Sequence, residues 1–277
     1  MIEFMVDCEK CTRCGECVKD CPVGIIIMGE KGPNLNLEKA GMCLKCQHCL
    51  AICPVAAVSV LGKDPADSRP LAGNLPAADQ VETLIRGRRS VRHFSPEPVA
   101  GDTIRRLLQT AAHAPTGRNN LGVLFSVIED QPTMQKLREE TLAGIRRSAD
   151  EGRLPKGLEF FGGVVKAWDR GVDVIFRDAP HLLIVSGLKG TPTPEADAYI
   201  ALATFDLLAS SLGLGTLWDG FAKWALVDVA PEVGARLGIP ESHQLVYTML
   251  FGQPAVQYHR TVQRDDAANI QRLSWPV

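Results

Sequence analysis

No cysteine occurs beyond Cys53 in this chain of 277 residues, and all nine lie close to one end. Clustering of that kind argues against a disulfide framework and for a reducing compartment, so the expected location is the cytoplasm. The first residues, Met1 to Asp7, lack an apolar signal-peptide core, and no apolar run approaches membrane length. Neither sign of charge dominates: 30 Lys and Arg face 32 Asp and Glu, a formal net charge of −2. That balance excludes the basic surplus of a nucleic-acid binder. No glycine-rich fingerprint follows a strand; Gly213-Leu214-Gly215 follows a helical pattern instead, against a Rossmann site. No Ser/His/Asp or paired-carboxylate constellation is present either, so hydrolysis has no support. The hydrophobic share of 45% and charged share of 22% are those of an ordinary globular protein.

What the cysteines do is repeat. Cys11, Cys14, Cys17 and Cys21 spell C-x2-C-x2-C-x3-C before Pro22, and Cys43, Cys46, Cys49 and Cys53 spell it again before Pro54. This spacing ligates [4Fe–4S] clusters, with the fourth cysteine of each run serving the other cluster. Three thiolates in one tight loop can cap three corners of a cube. The fourth corner must be reached from elsewhere, and the proline ends the run there. The rule assigns Cys11, Cys14, Cys17 and Cys53 to one cluster, and Cys43, Cys46, Cys49 and Cys21 to the other. Structural zinc, the bland alternative, favours two cysteine pairs set apart by a longer loop. A short apolar segment follows each run, Gly24 to Ile27 and Ala56 to Val58, predicting two halves related by pseudo-symmetry. Residues 1–62 resemble a bacterial two-cluster ferredoxin, which implies a module moving single electrons. Cys8 is left over as a spare thiol, and His48, inside the second loop, is placed to hydrogen-bond a sulfur.

More than 200 residues remain after this module, enough for a second domain with its own core. Residues 63–78, with three prolines and little periodicity, read as a linker to a domain at 79–277. A helix is expected from Asp79, with Glu82 completing a capping box and Val81, Leu84 and Ile85 on its apolar face. A second follows Asp102 and stops before Pro115. Strands are expected at 121–128, 181–186, 214–218 and 244–251. Helices are expected at 132–147 and 195–212 and shortly after Asp228, whereas 148–172 is less regular. The long helix at 195–212 is apolar on nearly every side and so central. Elements mix without a strict βαβ rhythm, giving an α+β class: a ferredoxin-like two-cluster domain followed by a second α+β domain.

In that second domain a basic run stands out: Arg86-Gly87-Arg88-Arg89-Ser90-Val91-Arg92-His93-Phe94. By itself it is more often a solvated face than a site, although forked guanidinium donors suit a phosphate. Downstream, in order, come Ala114-Pro115-Thr116-Gly117-Arg118-Asn119, Asp178-Ala179-Pro180, Gly213 to Gly220, and Gly252-Gln253-Pro254 ahead of Arg260. Together these resemble the nitroreductase family of flavoproteins over residues 81 to about 265. The resemblance implies FMN held non-covalently at a homodimer interface. It assigns Arg88, Arg89, Ser90, Arg92 and Arg260 to the phosphate and ribityl chain. It assigns Asn119, with Pro115 and Thr116, to the pyrimidine end. Leu217, Trp218, Asp219 and Gly220 fall on the other side of the ring, where backbone N–H groups tune the flavin. One departure is that Asn120-Leu121-Gly122 stands where the family often has Gln-Pro-Trp.

The implied protein is an iron–sulfur flavoprotein oxidoreductase. Its clusters accept single electrons and its FMN delivers a pair to a small electron-poor substrate of nitroaromatic, quinone or enone type. No side chain is assigned as catalytic, because the flavin carries the chemistry. The first module carries six Lys or Arg against seven Asp or Glu, and cluster thiolates would add negative charge; the acidic face this implies points to a donor protein such as ferredoxin, with NAD(P)H the other candidate. Two readings stay open: hydride taken from NAD(P)H or a metabolite with electrons exported through the clusters, and an electron-transfer or redox-sensing protein without turnover. His113 and His181 read as structural or surface histidines. Phe160, Phe161 and Trp168 read equally as a substrate lid or as ordinary packing.

Overall fold

The computed structural model describes residues 2–275; Met1, Pro276 and Val277, the outer ends of the expected domain ranges, lie outside the described residues. The chain divides into two compact units, one running to Pro76 and joined by Arg118–Asn120, the other formed by Ala77–Gly117 and the chain from Leu121.

The first unit is built from two short antiparallel pairs and two single-turn helices. β1 (Phe4–Val6) pairs with β4 (Val58–Val60), and β2 (Ile26–Met28) with β3 (Pro33–Leu35). α1 (Glu16–Lys19) and α2 (His48–Ala51) each follow a cysteine loop. Such short elements bury little apolar surface. Their core is Cys17, Ile25, Ile26 and Val58, with Cys21, Cys43, Cys49 and Cys53 packed around it. The residues of the expected linker up to Pro76 group with this unit and include a single helical turn, Pro65–Asp67, capped by Asp64.

The second unit is a four-stranded antiparallel sheet between two helical layers. β5 (Val123–Ile128), β6 (His181–Leu188), β7 (Gly215–Trp218) and β8 (His243–Gly252) lie in the order β5-β6-β8-β7. Period-two alternation divides β6 between two cores. Leu182 and Ile184 face one layer, which holds α5 (Gln131–Asp150), α6 (Phe161–Trp168), α8 (Gly220–Trp224) and α9 (Pro231–Ala235). Leu183 and Val185 face α4 (Gly101–Ala111) and α7 (Pro194–Ser211). The mixture is α+β, as the sequence implies.

Several local expectations shift. α3 spans Ala78–Gly87, and its cap is the Gln80 side chain accepting from the Ala77 N–H at 3.1 Å, not an Asp79–Glu82 box. Asp79 falls inside the first turn, where a carboxylate suits the positive end of the helix. The strand expected from Leu121 begins at Val123 because Leu121 is left-handed (φ 52°) and exposed. Within the stretch read as irregular, α6 forms despite Gly162 and Gly163, since Phe161, Val164 and Val165 share a buried face. Between β7 and α9 the chain makes α8 and then a π-helical turn, Ala225–Val229.

The basic run is sewn into this sheet rather than left as a solvated face. Ser90 bridges Thr216 in parallel along the edge of β7, and the Val91 N–H donates to the Thr216 carbonyl at 2.8 Å. Further on, the Ser95 N–H donates to Gln253 O and the Ala255 N–H to His93 O, both at 2.8 Å. Gly215 permits the close approach: a β-carbon there would lie 2.8 Å from the Val91 side chain. The run therefore connects β7 to the segment leaving β8.

Candidate functional site

The cysteine loops turn by entering the left-handed region at matching places. Arg13 (φ 59°) and Gly15 (φ 78°) in the first loop correspond to Lys45 (φ 55°) and Gln47 (φ 59°) in the second. Gly24 (φ 60°) and Ala56 (φ 51°) correspond after each run. Turns of this kind bring backbone N–H groups to the inside of the loop. Two already meet sulfur: Lys45 N–H donates to Cys43 Sγ at 3.4 Å, and Ala57 N–H to Cys53 Sγ at 3.2 Å. His48 does not: its Nδ1 lies 3.2 Å from Asp20 Oδ2. An imidazole on a solvent-facing turn finds the neighbouring carboxylate before it finds a buried sulfur.

The loops close two hollows. One, of about 300 Å³, is lined by Cys11, Cys14, Cys17 and Cys53. The other, of about 450 Å³, is lined by Cys21, Cys43, Cys46 and Cys49. In each, three thiols come from one run and the fourth from the other. Burial pushes the Cys49 thiol up to about 11 and raises that of Cys17, so neither stands as a free thiolate at neutral pH without a metal charge beside it. Among the described residues, no three His, Cys, Asp or Glu gather around a single metal ion. A cubane asks for something different, four thiolates each at its own iron around a larger body. Both hollows fit that requirement in number, donor type and enclosure.

The second unit carries two further hollows. Arg88, Arg89, Gly215, Pro254 and Tyr258 line the first, of about 820 Å³. Arg92 lines the second, of about 580 Å³, together with Leu217, Trp218, Asp219 and Gly220. The structure thus divides the basic run between two places. Arg88 is half-buried, and its Nη1 lies 3.4 Å from Asp206 Oδ2 without hydrogen-bond geometry, leaving a buried donor unmatched. Arg89 is pulled below the usual guanidinium range by burial, then by repulsion from Arg264 and Arg88. Two guanidiniums in one hollow, one with an unmatched donor and a third cation near enough to repel, form a donor set of the kind that suits an anion such as a phosphate. Arg86 ties the tail alongside through Asp265 at 3.0 Å. Arg260 is exposed, and its side chain makes no hydrogen bond or ion pair among the described residues.

Asp206 is the residue that pattern reading passes over. It sits buried on α7 and accepts from Thr216 Oγ1 and from Trp218 Nε1, the latter at 2.9 Å. One carboxylate therefore fixes two residues of β7 and faces Arg88. The available signal was an acid deep in the apolar part of α7, well past the first turn that holds Glu195 and Asp197. Asp219 caps α8 by accepting from the Ala222 N–H through Oδ1, while its Oδ2 is buried without a partner. Burial pushes its carboxyl up to about 7.

Other expected residues are not among those lining either hollow. Thr116 Oγ1 accepts from the Leu121 N–H at 3.0 Å, and Pro115 precedes it. Asn119 groups with the first unit, its Nδ2 donating to the Leu44 carbonyl at 2.9 Å. Arg118 and Asn119 are both left-handed, a conformation that side chains other than glycine rarely adopt. His181 is structural: its Nε2 accepts from the Val99 N–H at 2.8 Å and its Nδ1 faces the Ile128 carbonyl. Burial lowers its basicity.

Comparison with known proteins agrees with this layout. The model of the nitroreductase family matches residues 85–253, and that of a 4Fe–4S dicluster domain matches residues 10–58. An FMN reductase [NAD(P)H] of Bacillus subtilis is 28% identical over 147 residues, 52% of this chain and 55% of that protein. A 4-nitrobenzoate reductase of a Nocardioides species is 28% identical over 221 residues, 69% of this chain and 87% of that protein. In fold, a nitroreductase of Desulfitobacterium hafniense crystallised with bound FMN superposes with a TM-score of 0.55 at 24% identity, over 72% of this chain and all of that one. No helix among the described residues is long and apolar enough to cross a membrane. Since the family model spans well over half of the sequence, the chain belongs to the nitroreductase family of FMN-dependent oxidoreductases, joined to an N-terminal 4Fe–4S ferredoxin-type domain.

Proposed function

We propose that this protein takes single electrons from a donor protein through two [4Fe–4S] clusters and, with FMN, reduces a small flat electron-poor compound such as a nitroaromatic, quinone or enone. When bound, the clusters supply one-electron transfer, and the flavin exchanges electrons singly or in pairs. The chain's own residues set where these groups sit and what reaches them. Cys11, Cys14, Cys17 and Cys53 would hold one cluster; Cys21, Cys43, Cys46 and Cys49 would hold the other. Arg88, Arg89 and Arg264 would hold the FMN phosphate, with the Ser90 hydroxyl beside them. Arg92 and the backbone of Leu217 to Gly220 would meet the ring end. Asp206 keeps Thr216 and Trp218 in place behind that surface. Asp219, whose carboxyl burial pushes up to about 7, changes protonation near neutrality at a buried position lining the same hollow.

The observation that carries the reading is the crossing of the two cysteine runs into two separate four-thiol hollows. One-electron carriers on the same chain as a flavin site make sense where single electrons must be collected into pairs. A second copy of the chain is part of the proposal. α3 has no buried residue, and Val81, Ile85, Tyr199 and Ile200 are large apolar side chains left exposed in the single chain. A ferredoxin-like donor and the cytoplasm are part of the same reading, supported by the cysteine-rich first unit and the negative charge that cluster thiolates would add to it.

Anaerobic single-turnover reduction tests the proposal, with cluster and flavin absorbance followed separately after mixing with a reduced one-electron donor or with NAD(P)H. Clusters reducing before flavin, and a quinone or nitroaromatic reoxidising both, is the expected result. Flavin reducing first with NAD(P)H, and the clusters following, would reverse the direction of flow.

A further inference from the structure

Arg177 has no place in the reading so far, yet the fold takes trouble to hold it. It sits half-buried in the wall of the hollow shared with Arg92, Asp219, Phe221 and Trp224. Its backbone is left-handed (φ 54°), as is that of Asp178 (φ 54°). Two consecutive non-glycine residues in that region persist only where the surroundings over-determine them. The determinant is a buried ion pair behind the turn. Arg138 on α5 meets Asp173 Oδ2 at 3.1 Å and also donates to the Ala179 carbonyl. Asp173 in turn accepts from the Phe176 N–H at 2.8 Å and the Asp178 N–H at 3.2 Å. The turn is pinned on both sides of Arg177, whose own guanidinium has no recorded ion pair or hydrogen bond among the described residues.

The rest of the wall is aromatic. Phe221 and Trp224 line the hollow, with ring centroids 6.2 Å apart. Phe160 lies 5.4 Å from Phe221 and 6.3 Å from Trp224, and Phe160 and Trp224 each keep more than a third of their surface exposed. Two cations, Arg92 and Arg177, and one acid, Asp219, line the hollow, so its charge is positive in excess; Arg177 attracts the Asp219 carboxylate, opposing the burial that pushes that carboxyl up to about 7. Arg92 belongs to the ring end of the flavin in our reading, which leaves Arg177, pinned and attracted by Asp219 but without a hydrogen bond or ion pair among the described residues, beside an open aromatic surface.

We infer that Arg177 sets the specificity of this hollow, and that it selects flat aromatic substrates bearing a carboxylate, the ring lying against Phe221 and Trp224. The inference rests on the assignment of this hollow to the ring end of the FMN site. A forked guanidinium matches a carboxylate in geometry as well as charge, and an aromatic wall adds sequestered surface for the ring.

The test is equilibrium binding to the oxidised, FMN-loaded full chain, read as perturbation of the flavin spectrum without turnover. The probes are 4-nitrobenzoate and 4-nitrobenzamide, alike in shape and differing in charge. The carboxylate should bind tighter by about 10- to 100-fold, the range of one charge-assisted hydrogen-bonded contact. Arg177→Gln should abolish that preference, and Arg177→Lys should restore part of it. Equal affinity for the two probes in the native chain, or a preference that survives Arg177→Gln, overturns the inference. FMN stoichiometry is measured alongside. Flavin lost specifically from Arg177→Gln would give Arg177 to the cofactor and overturn the inference while leaving the FMN assignment intact. Failure of the native chain to hold FMN would overturn both.

Discussion

Removing Arg88 and Arg89 together tests the anion cradle most directly. Arg88 contributes a buried donor without a hydrogen-bond partner, and Arg89 a guanidinium already pressed by Arg264 and Arg88. Each charge-assisted contact to a phosphate is worth about 1.5–3 kcal/mol. Loss of two corresponds to about 3–6 kcal/mol, or roughly 10²- to 10⁴-fold in the FMN dissociation constant. The fold should survive, because Asp206 keeps its hydrogen bonds from Thr216 and Trp218 when Arg88 is gone. Relief of repulsion at Arg264 further offsets the change. The assay is anaerobic purification of Arg88→Ala/Arg89→Ala, with FMN per chain, FMN titration by fluorescence quenching and cluster absorbance measured on one sample. Flavin should leave while cluster absorbance stays. An FMN dissociation constant unchanged within error would refute the cradle, and loss of cluster absorbance as well would mean that the variant had failed as a fold.

Three other outcomes are expected. Cys46→Ala should lower iron per chain by about half, leave FMN bound, and stop flavin reduction by a one-electron donor; unaltered reduction would remove the clusters from the route. Asp219→Asn should raise the melting temperature by an amount that grows with pH. Burial lifts the native carboxyl to about 7, so the folded state binds a proton that the unfolded state releases near pH 4, and Asp219 lowers stability increasingly from about pH 4 to about 7. Equal melting differences at pH 5 and pH 8 would show that the carboxyl is not perturbed. Asp206→Ala leaves Thr216, Trp218 and Arg88 without their shared acceptor and should cost about 2–4 kcal/mol, seen as a lower melting temperature; a change within error would mean that these donors find other partners.

Where the sequence reads well, the deciding interaction is local. The spacing of Cys11, Cys14 and Cys17 allows one tight loop, and the proline after Cys21 ends the run, so the composition of each hollow follows from the spacing taken with the cross-ligation rule of two-cluster ferredoxins. The strands at β6 and β8 and the helix at α7 show in short-range apolar pattern because burial on a fixed period leaves a trace within a few residues. α6 was obscured by Gly162 and Gly163, whose low helix propensity is overridden by the burial of Phe161, Val164 and Val165. His48 was misread because its partner, Asp20, lies on the other repeat.

By itself, the sequence determined a repeated thiol pattern, an α+β second domain and a basic run of the right chemistry for a phosphate. Tertiary structure alone decided how that run is used, placing Arg88 and Arg89 in one hollow and Arg92 in another through the pairing of Ser90 with Thr216. It also decided that Asp206 faces Arg88 while fixing Thr216 and Trp218, and that the turn carrying Arg177 is pinned by Asp173. The physical reason is the same throughout. A cation's role depends on which charges and donors lie within a few ångströms, and for residues far apart in sequence that is set by sheet order and by the turns between elements, neither of which leaves a periodic mark on the chain.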